Sequence, residues 1–310
     1  MPLLNRTPTV SITSGIAAVR FADSGIGAAP GMGAHPGRSL LRSCANPGCG
    51  TGWLHLWRGR SAPVFEGGWL CSPACSEAQI AQAVRRELGG RTAAPVHRHR
   101  IPIGLTMLEQ GWITQEQLRG ALEAQRTAGT GRLGRWLVCT QGVSEQLVTR
   151  ALGLQWNCAV MNPEFESAEG LAPLIPRFFL DAFGALPLRI AAGRILYLGF
   201  EDRLDPVLAL AVERATGLRV ECVVVQESHF RRAHARMLDA PFPHVELIEA
   251  SCEQALVRTL ALRLERLRPV EARLTRVHDC LWLRIWLRKG AGPVPERDAV
   301  RDLIASVSAQ

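Results

Sequence analysis

Four of the nine cysteines fall in two close pairs, and these thiols have the clearest chemistry in the sequence. The pairs are Cys44-Ala45-Asn46-Pro47-Gly48-Cys49 and Cys71-Ser72-Pro73-Ala74-Cys75, each on a turn that carries Pro or Gly, with short β-like segments between them. Two such turns can bring four thiolates to one tetrahedral zinc ion. The spacings of four and three intervening residues differ from the two usual in such sites. Three readings therefore stand open: a structural zinc on Cys44, Cys49, Cys71 and Cys75, reduced thiols without a metal, and a redox or catalytic role. A metal suits the segment, because so short a unit has too little core to fold unaided and an ion supplies the missing cohesion. His55 offers an imidazole in place of one thiolate, and Trp53, Trp57, Phe65 and Trp69 supply apolar packing around the pairs.

The other reactive-looking clusters read more simply as structure. His97-Arg98-His99-Arg100 lies in an Ala/Pro-rich linker, where histidines two apart are solvated. Glu201, Asp202 and Asp205 suit a helix start with acids in its first turn. His278-Asp279-Cys280 suits a turn, since adjacent residues do not direct their side chains at one point. Cys139, Cys158, Cys222, Cys252 and Cys280 are isolated and read as small buried apolar residues. An odd, scattered set of this kind is no secreted disulfide framework. The sequence has no Gly-x-x-x-x-Gly-Lys-[Ser/Thr] loop, no Gly-x-Ser-x-Gly elbow and no His-Glu-x-x-His pair. That excludes an intact P-loop ATPase and sets the expectation of a protein that is not an enzyme.

The 310 residues are 47% hydrophobic and 21% charged, which describes a globular chain long enough for two or three compact units. No run approaches the roughly 18 apolar residues of a membrane span. The N-terminus lacks a basic segment followed by an apolar core, so no secretory signal is read and a cytoplasmic location is the default expectation. The net charge of +8 comes almost wholly from arginines scattered among acids, Lys289 being the only lysine. Nucleic-acid binding asks for a clustered basic face and is not expected; an Arg-rich surface equally suits a small phosphorylated ligand.

One stretch is written twice. A shift of 30 positions lays Gly104 on Gly134, Met107 and Leu108 on Leu137 and Val138, Ile113 on Val143, Thr114 on Ser144, Ala121 and Leu122 on Ala151 and Leu152, and Gln125 on Gln155. Each copy predicts a short apolar turn, a hydroxyl N-cap and a helix with apolar residues three and four apart. Thr114-Gln115-Glu116-Gln117 has capping-box spacing, whereas the second copy carries Leu147 where the reciprocal Gln would stand. Two such units cannot bury their stripes separately, so a pseudo-symmetric helical module is expected, with its seam the first place for a ligand.

The rest of the chain divides around this module. Residues 1–40 are rich in Gly, Ala, Pro and Ser and predict disorder; 41–90 hold the four-cysteine unit and a helix from Ser76 to Leu88; 91–100 are a linker. After the repeat, a helix at Pro173–Phe183, strands at Ala185–Ile190 and Arg194–Phe200, a helix at Asp205–Thr216, a strand at Leu218–Val225 and a helix at Glu227–Leu238 predict a small α/β layer closing a domain of 101–240. Residues 241–310 predict a helix over Glu246–Leu267, a hairpin of Val270–Val277 with Leu281–Arg288, and a terminal helix over Pro293–Gln310. The fold class is α+β: a tandem helical module followed by an α/β layer and preceded by a zinc-ribbon-like unit.

Arg132-Leu133-Gly134, then Leu137-Val138 and a capped helix through Leu152 and Gln155, resembles the tandem motif of the MshEN or GspE N-terminal family, found in type II secretion and type IV pilus assembly ATPases. The first copy is similar through Ile103, Gly104, Met107, Leu108, Leu118, Leu122 and Gln125, and the resemblance continues over about 101–238. It implies cyclic di-GMP as ligand of these residues, and secretion or pilus assembly proteins at the inner membrane as partners. Two departures matter. Pro102 stands where the family has Arg, removing a charge and a backbone N–H from the first half-site, and Gln141 displaces the expected Gly of the second copy by one, to Gly142. With no ATPase domain recognisable in the chain, the resemblance implies a stand-alone adaptor or regulator. A docking module with a decayed nucleotide site and a zinc-ribbon nucleic-acid binder are the alternatives.

Overall fold

The structure, a computed structural model, describes residues 43–50, 62–89, 100–161 and 169–307. The first 40 residues, Trp53, His55, Trp57, and the linker histidines His97 and His99 lie outside the described residues. Among those described, no helix is long and apolar enough to cross a membrane.

The cysteine unit is a hairpin of β1 (Val64–Phe65) and β2 (Gly68–Trp69), followed by α1 (Pro73–Gly89). Its turn, Glu66-Gly67, has positive φ at both residues, and Pro73 opens α1, where its missing N–H costs nothing.

The repeat folds as four helices: α2 (Ile103–Glu109), α3 (Gln115–Ala128), α4 (Leu133–Gln141) and α5 (Glu145–Trp156). Residues 101–110 and 131–140 have the same degree of exposure at every position, so the duplication is one of packing as well as of letters. Met107 and Leu137, Ile113 and Val143, and Ala121 and Ala151 are buried in equivalent places of one core. Gly104 and Gly134 make the packing possible: a Cβ would stand 2.7 Å from Leu118 Cδ1 at the first and 2.7 Å from Val148 Cγ1 at the second. Thr114 forms the expected capping box with Gln117, whereas the Ser144 side chain makes no cap hydrogen bond.

A 3-10 turn (Glu169–Leu174) and α6 (Arg177–Phe183) lead into β3 (Ala185–Ala191), β4 (Ile195–Phe200), α7 (Pro206–Thr216), β5 (Arg219–Val224) and α8 (Glu227–Leu238). The sheet order is β3-β4-β5, an antiparallel hairpin joined through α7 to a parallel strand. The single helix expected over Pro173–Phe183 is divided, because Pro176 disfavours helical backbone in the residue before it.

The C-terminal part holds β6 (His244–Ala250), α9 (Glu253–Leu267), β7 (Glu271–Val277), β8 (Cys280–Trp286) and, after a 3-10 turn (Arg297–Ala299), β9 (Val300–Val307), with strand order β6-β9-β8-β7. Here two expectations fail. Residues 246–250 are strand rather than the start of a helix, and the segment expected as a terminal helix contains β9, one of the two inner strands. Glu, Leu and Ala favour helix weakly, and the pairing of β6 with β9, Leu247 opposite Ile304, outweighs that local preference. The hairpin was legible; the two strands that widen it were not.

This sheet is covered on both faces. Leu274, Leu281, Leu283, Leu303 and Ala305 pack with α9, with Ile80 and Val84 of α1 and with Phe65 and Leu70 of the cysteine unit. The opposite face gives Val277, Trp282 and Ile304 to the core of the α/β layer, where Trp282 meets Phe179 edge to face with centroids 5.5 Å apart. Also on that face is Arg284, with no exposed surface. Its guanidinium donates to the carbonyls of Pro173 and Leu174 and lies 3.9 Å from Asp302, whose Oδ1 accepts from Trp282 Nε1 at 2.7 Å. Burial draws the guanidinium below its ordinary pKa against the pull of Asp302, and burial raises the Asp302 carboxyl against the pull of Arg284. Removing one member of such a pair strands the other in an apolar surround, so Arg284→Met should lower stability by about 3–5 kcal/mol. Urea denaturation measures it; a loss under about 1 kcal/mol, the range of an exposed pair, would show that the contact does not hold the layers together.

Candidate functional site

The four sulfurs converge. Asn46 builds the first turn: its Oδ1 accepts from Gly48 N at 3.0 Å, its carbonyl accepts from Cys49 N at 3.0 Å, and its amide nitrogen donates to Cys75 Sγ at 3.4 Å. Ala45 N donates to Trp69 O at 2.9 Å, drawing Cys44 onto β2. Only glycine fits opposite, since a Cβ on Gly68 would stand 2.3 Å from Ala45 Cβ. Cys71 leaves β2, and Cys75 sits in the first turn of α1 with its N–H on Ser72 Oγ at 3.3 Å.

Cys44, Cys49, Cys71 and Cys75 place their sulfurs within 4.8 Å of one another. Cys49 and Cys71 are 3.5 Å apart and Cys71 and Cys75 3.7 Å. A disulfide needs about 2.05 Å, whereas thiolates on a tetrahedral zinc at about 2.3 Å stand roughly 3.8 Å apart. Burial, with hydrogen bonding among the thiols, pushes the Cys44 thiol up to about 12. The donor set therefore fits a soft, four-coordinate cation that replaces the protons, in a closed site with no position for substrate. A metal here would act on folding.

Of the residues assigned to the nucleotide, the module core takes Gly104, Met107, Gly134 and Leu137; Ile103, Leu108, Leu118, Leu133, Val138 and Leu152 are half-buried around it, and Leu122 is half-buried on α3. The close approach that both glycines permit is of helix on helix. Gln125 and Gln155 have a reciprocal role: Gln125 Nε2 donates to Gly131 O and Gln155 Nε2 to Ile101 O, each at 2.8 Å. Each copy thus fastens the start of the other. Arg132 is exposed at the start of α4 but already engaged, 3.1 Å from Glu201 Oε1 and 2.8 Å from Asp202 Oδ2. Arg231 adds a contact to Glu201 at 3.4 Å. Arg100 lies 3.1 Å above the Trp156 ring.

Asp205 caps α7, as its position suggested, with Oδ1 accepting from Val207 N and Leu208 N at 3.0 and 2.9 Å. Its second oxygen meets His278 Nε2 at 2.7 Å, and the imidazole stacks on Phe183. His278, in the β7–β8 turn, is thereby a link between sheets, a role that spacing did not signal. Glu145 was also missed. Burial opposes its ionisation, but bonds from Gln226 Nε2 at 2.8 Å and Ser228 N at 2.6 Å outweigh it and hold the carboxyl below its usual range. It caps α8 from another module, which no local motif records.

Residues 159–244 match the MshEN domain family. The matched stretch begins just past α5 and takes in the α/β layer, so the duplicated helices precede it. Among similar proteins is the type IV pilus assembly ATPase PilB of Thermus thermophilus, 29% identical over 140 residues, 43% of this chain and 15% of PilB. Bacteriophage adsorption protein B of Escherichia coli (strain K12) is 31% identical over 125 residues, 40% of this chain and 16% of that protein. The chain thus spans about 15% of the length of these curated relatives. The solved structure of MshE with cdg is 24% identical, covering 44% of this chain and 99% of that one at a TM-score of 0.37. The N-terminal domain of XpsE is 23% identical, with 44% and 92% covered and a TM-score of 0.30. These overlays are too loose to bear on side-chain geometry.

Protein purified under reducing conditions should carry about one zinc per chain, read by elemental mass spectrometry. Its removal should forfeit on the order of 10 kcal/mol of cohesion in the cysteine unit. Because Phe65 and Leu70 share a core with α1, α9 and the C-terminal sheet, amide exchange there should rise too while α2–α5 stay protected. Less than about half a zinc per chain would refute a structural metal.

Proposed function

We propose that the chain is a non-enzymatic regulator or adaptor of type II secretion or type IV pilus machinery, and that its tandem module binds cyclic di-GMP chiefly through the second copy. The observation that carries this reading is the matched packing of the two copies combined with their difference at one position, Arg132 against Pro102. An exposed guanidinium offers a planar fork for the acceptor edge of a guanine, and Pro102 offers neither charge nor donor. The MshEN match directly after the module supports the family context, and MshE has been solved with cdg. Secretion or pilus assembly proteins are the partners this context favours.

The docking-module reading keeps one observation in its favour. Ile101 and Leu105 are 59% and 53% exposed beside Pro102, where the second copy has Gly131 and Arg135. The first half-site is thus apolar at its surface. Among the described residues of the cysteine unit and the α9 face beside it, Arg85, Arg86 and Arg258 lie on Glu253, Glu66 and Glu77, which does not favour the nucleic-acid alternative.

Titration calorimetry with cyclic di-GMP separates the readings. A charge-assisted hydrogen bond contributes about 1.5–3 kcal/mol, one to two decades in affinity, less whatever is lost in freeing Arg132 from Glu201 and Asp202. Arg132→Ala should therefore weaken binding about tenfold or more, and Pro102→Arg should strengthen it. No heat from the parent chain and none from Pro102→Arg would leave the docking module standing.

A further inference from the structure

The four-stranded C-terminal sheet has two edges, and the structure treats them differently. The β7 edge is closed by the cysteine unit: Val64 N donates to Pro269 O at 3.1 Å, Glu66 N to Ala272 O at 2.8 Å, and Gly67 N to the Glu271 carboxylate at 3.0 Å. At the other edge, β6 pairs with β9 on one side, and among the described residues no strand lies on its outer side. This edge is seven residues long and contains no Pro, Lys or bulge; its charges are Glu246 and Glu249, one on each face. Leu247, at its midpoint, is 67% exposed.

We propose that the outer edge of β6 is a self-association surface, pairing antiparallel with β6 of a second copy about a two-fold axis through Leu247. The strand's own pattern selects this partner and this register. Centred on Leu247, Glu246 lies opposite Ile248, Val245 opposite Glu249 and His244 opposite Ala250, so no two carboxylates face each other. A register centred on Glu246 would oppose like charges, which is destabilising. On the α9 face each Glu246 arrives already held by Arg263, with Nε to Oε1 at 2.9 Å and Nη2 to Oε1 at 2.6 Å. The two carboxylates, diagonal across the axis, thus come with two guanidinium groups between α9 and the strand. On the other face Leu247 meets Leu247, removing an exposed apolar side chain from water in both copies. The result is a continuous eight-stranded sheet closed at each end by a cysteine unit. One strand pair alone falls below the roughly 800 Å² per partner of a stable interface, so the dimer is one that dissociates on dilution.

Sedimentation equilibrium of the full chain should show a reversible monomer–dimer equilibrium at about 100 μM, and Leu247→Arg, which sets two cations face to face, should give a monomer with an unchanged thermal melt. The register is read by cysteine substitution. Opposed Cα atoms of an antiparallel pair stand about 4.5–5.5 Å apart, within disulfide reach. With oxidised glutathione as the electron acceptor, Leu247→Cys should therefore yield at least about fivefold more covalent dimer than Glu249→Cys, whose two copies lie four positions apart. Equal cross-linking from the two variants, a chain that stays monomeric, or a dimer that survives Leu247→Arg would each overturn the proposal. The cross-linking comparison decides the matter even if Leu247→Arg fails to fold.

Discussion

Arg284 has no exposed surface, and the way the α/β layer lies on the C-terminal sheet follows from the contacts its guanidinium makes. A buried guanidinium needs acceptors on several sides. The carbonyls of Pro173 and Leu174 supply two from another layer, and Asp302 on the neighbouring strand supplies the opposite charge at 3.9 Å. Those carbonyls are free to accept because the backbone there is a 3-10 turn that Pro176 keeps from running into α6. The charged contact therefore fixes how the α/β layer lies on the C-terminal sheet, while Phe179, Trp282 and Ile304 exclude water around it. Dispersion and apolar burial alone would tolerate a slide of one layer over the other; a guanidinium bound to two named carbonyls does not.

With that face of the sheet occupied, the other face is left for α9, α1 and the cysteine unit. The proposed metal then has a wider part than holding a small ribbon together. Its ligands fix β2 and the first turn of α1, and these carry Phe65, Leu70, Ile80 and Val84 into the core beneath α9. Cysteine spacing and sheet closure are thus one arrangement.

The helical module is joined to the α/β layer by charge at two points, Arg132 on Glu201 and Asp202, and Glu145 on the start of α8. The Glu145 contact lies at the start of α8, where unpaired N–H groups and the helix dipole favour a carboxylate, whereas Arg132 joins by direct charge pairing. Arg132 is the residue through which a nucleotide would be held under the proposed function, so ligand and layer would compete for one guanidinium. Such a competition would make the junction sensitive to what the module binds.

The sequence alone determined the elements whose cause is local. The duplication foretold α3 and α5, because apolar spacing and the Thr114 box act within a few residues of one another, whereas α2 and α4 are helices where only short apolar turns were expected. The β3–β4 hairpin, α7, β5 and α8 were legible for the same reason, as was the cysteine quartet, whose donors sit on two short turns. Contacts between distant segments were decided only by the tertiary structure. Residues 246–250 and 300–307 carry weak or misleading local preferences and became strands because each found the other, more than 50 positions away. Arg284, Asp302, Glu145 and His278 gave no signal either, since a charged side chain reads the same in a sequence whether water or a distant carbonyl is its partner. Local physics is written in neighbouring residues, while the choice of long-range partner depends on which buried groups the completed fold must satisfy.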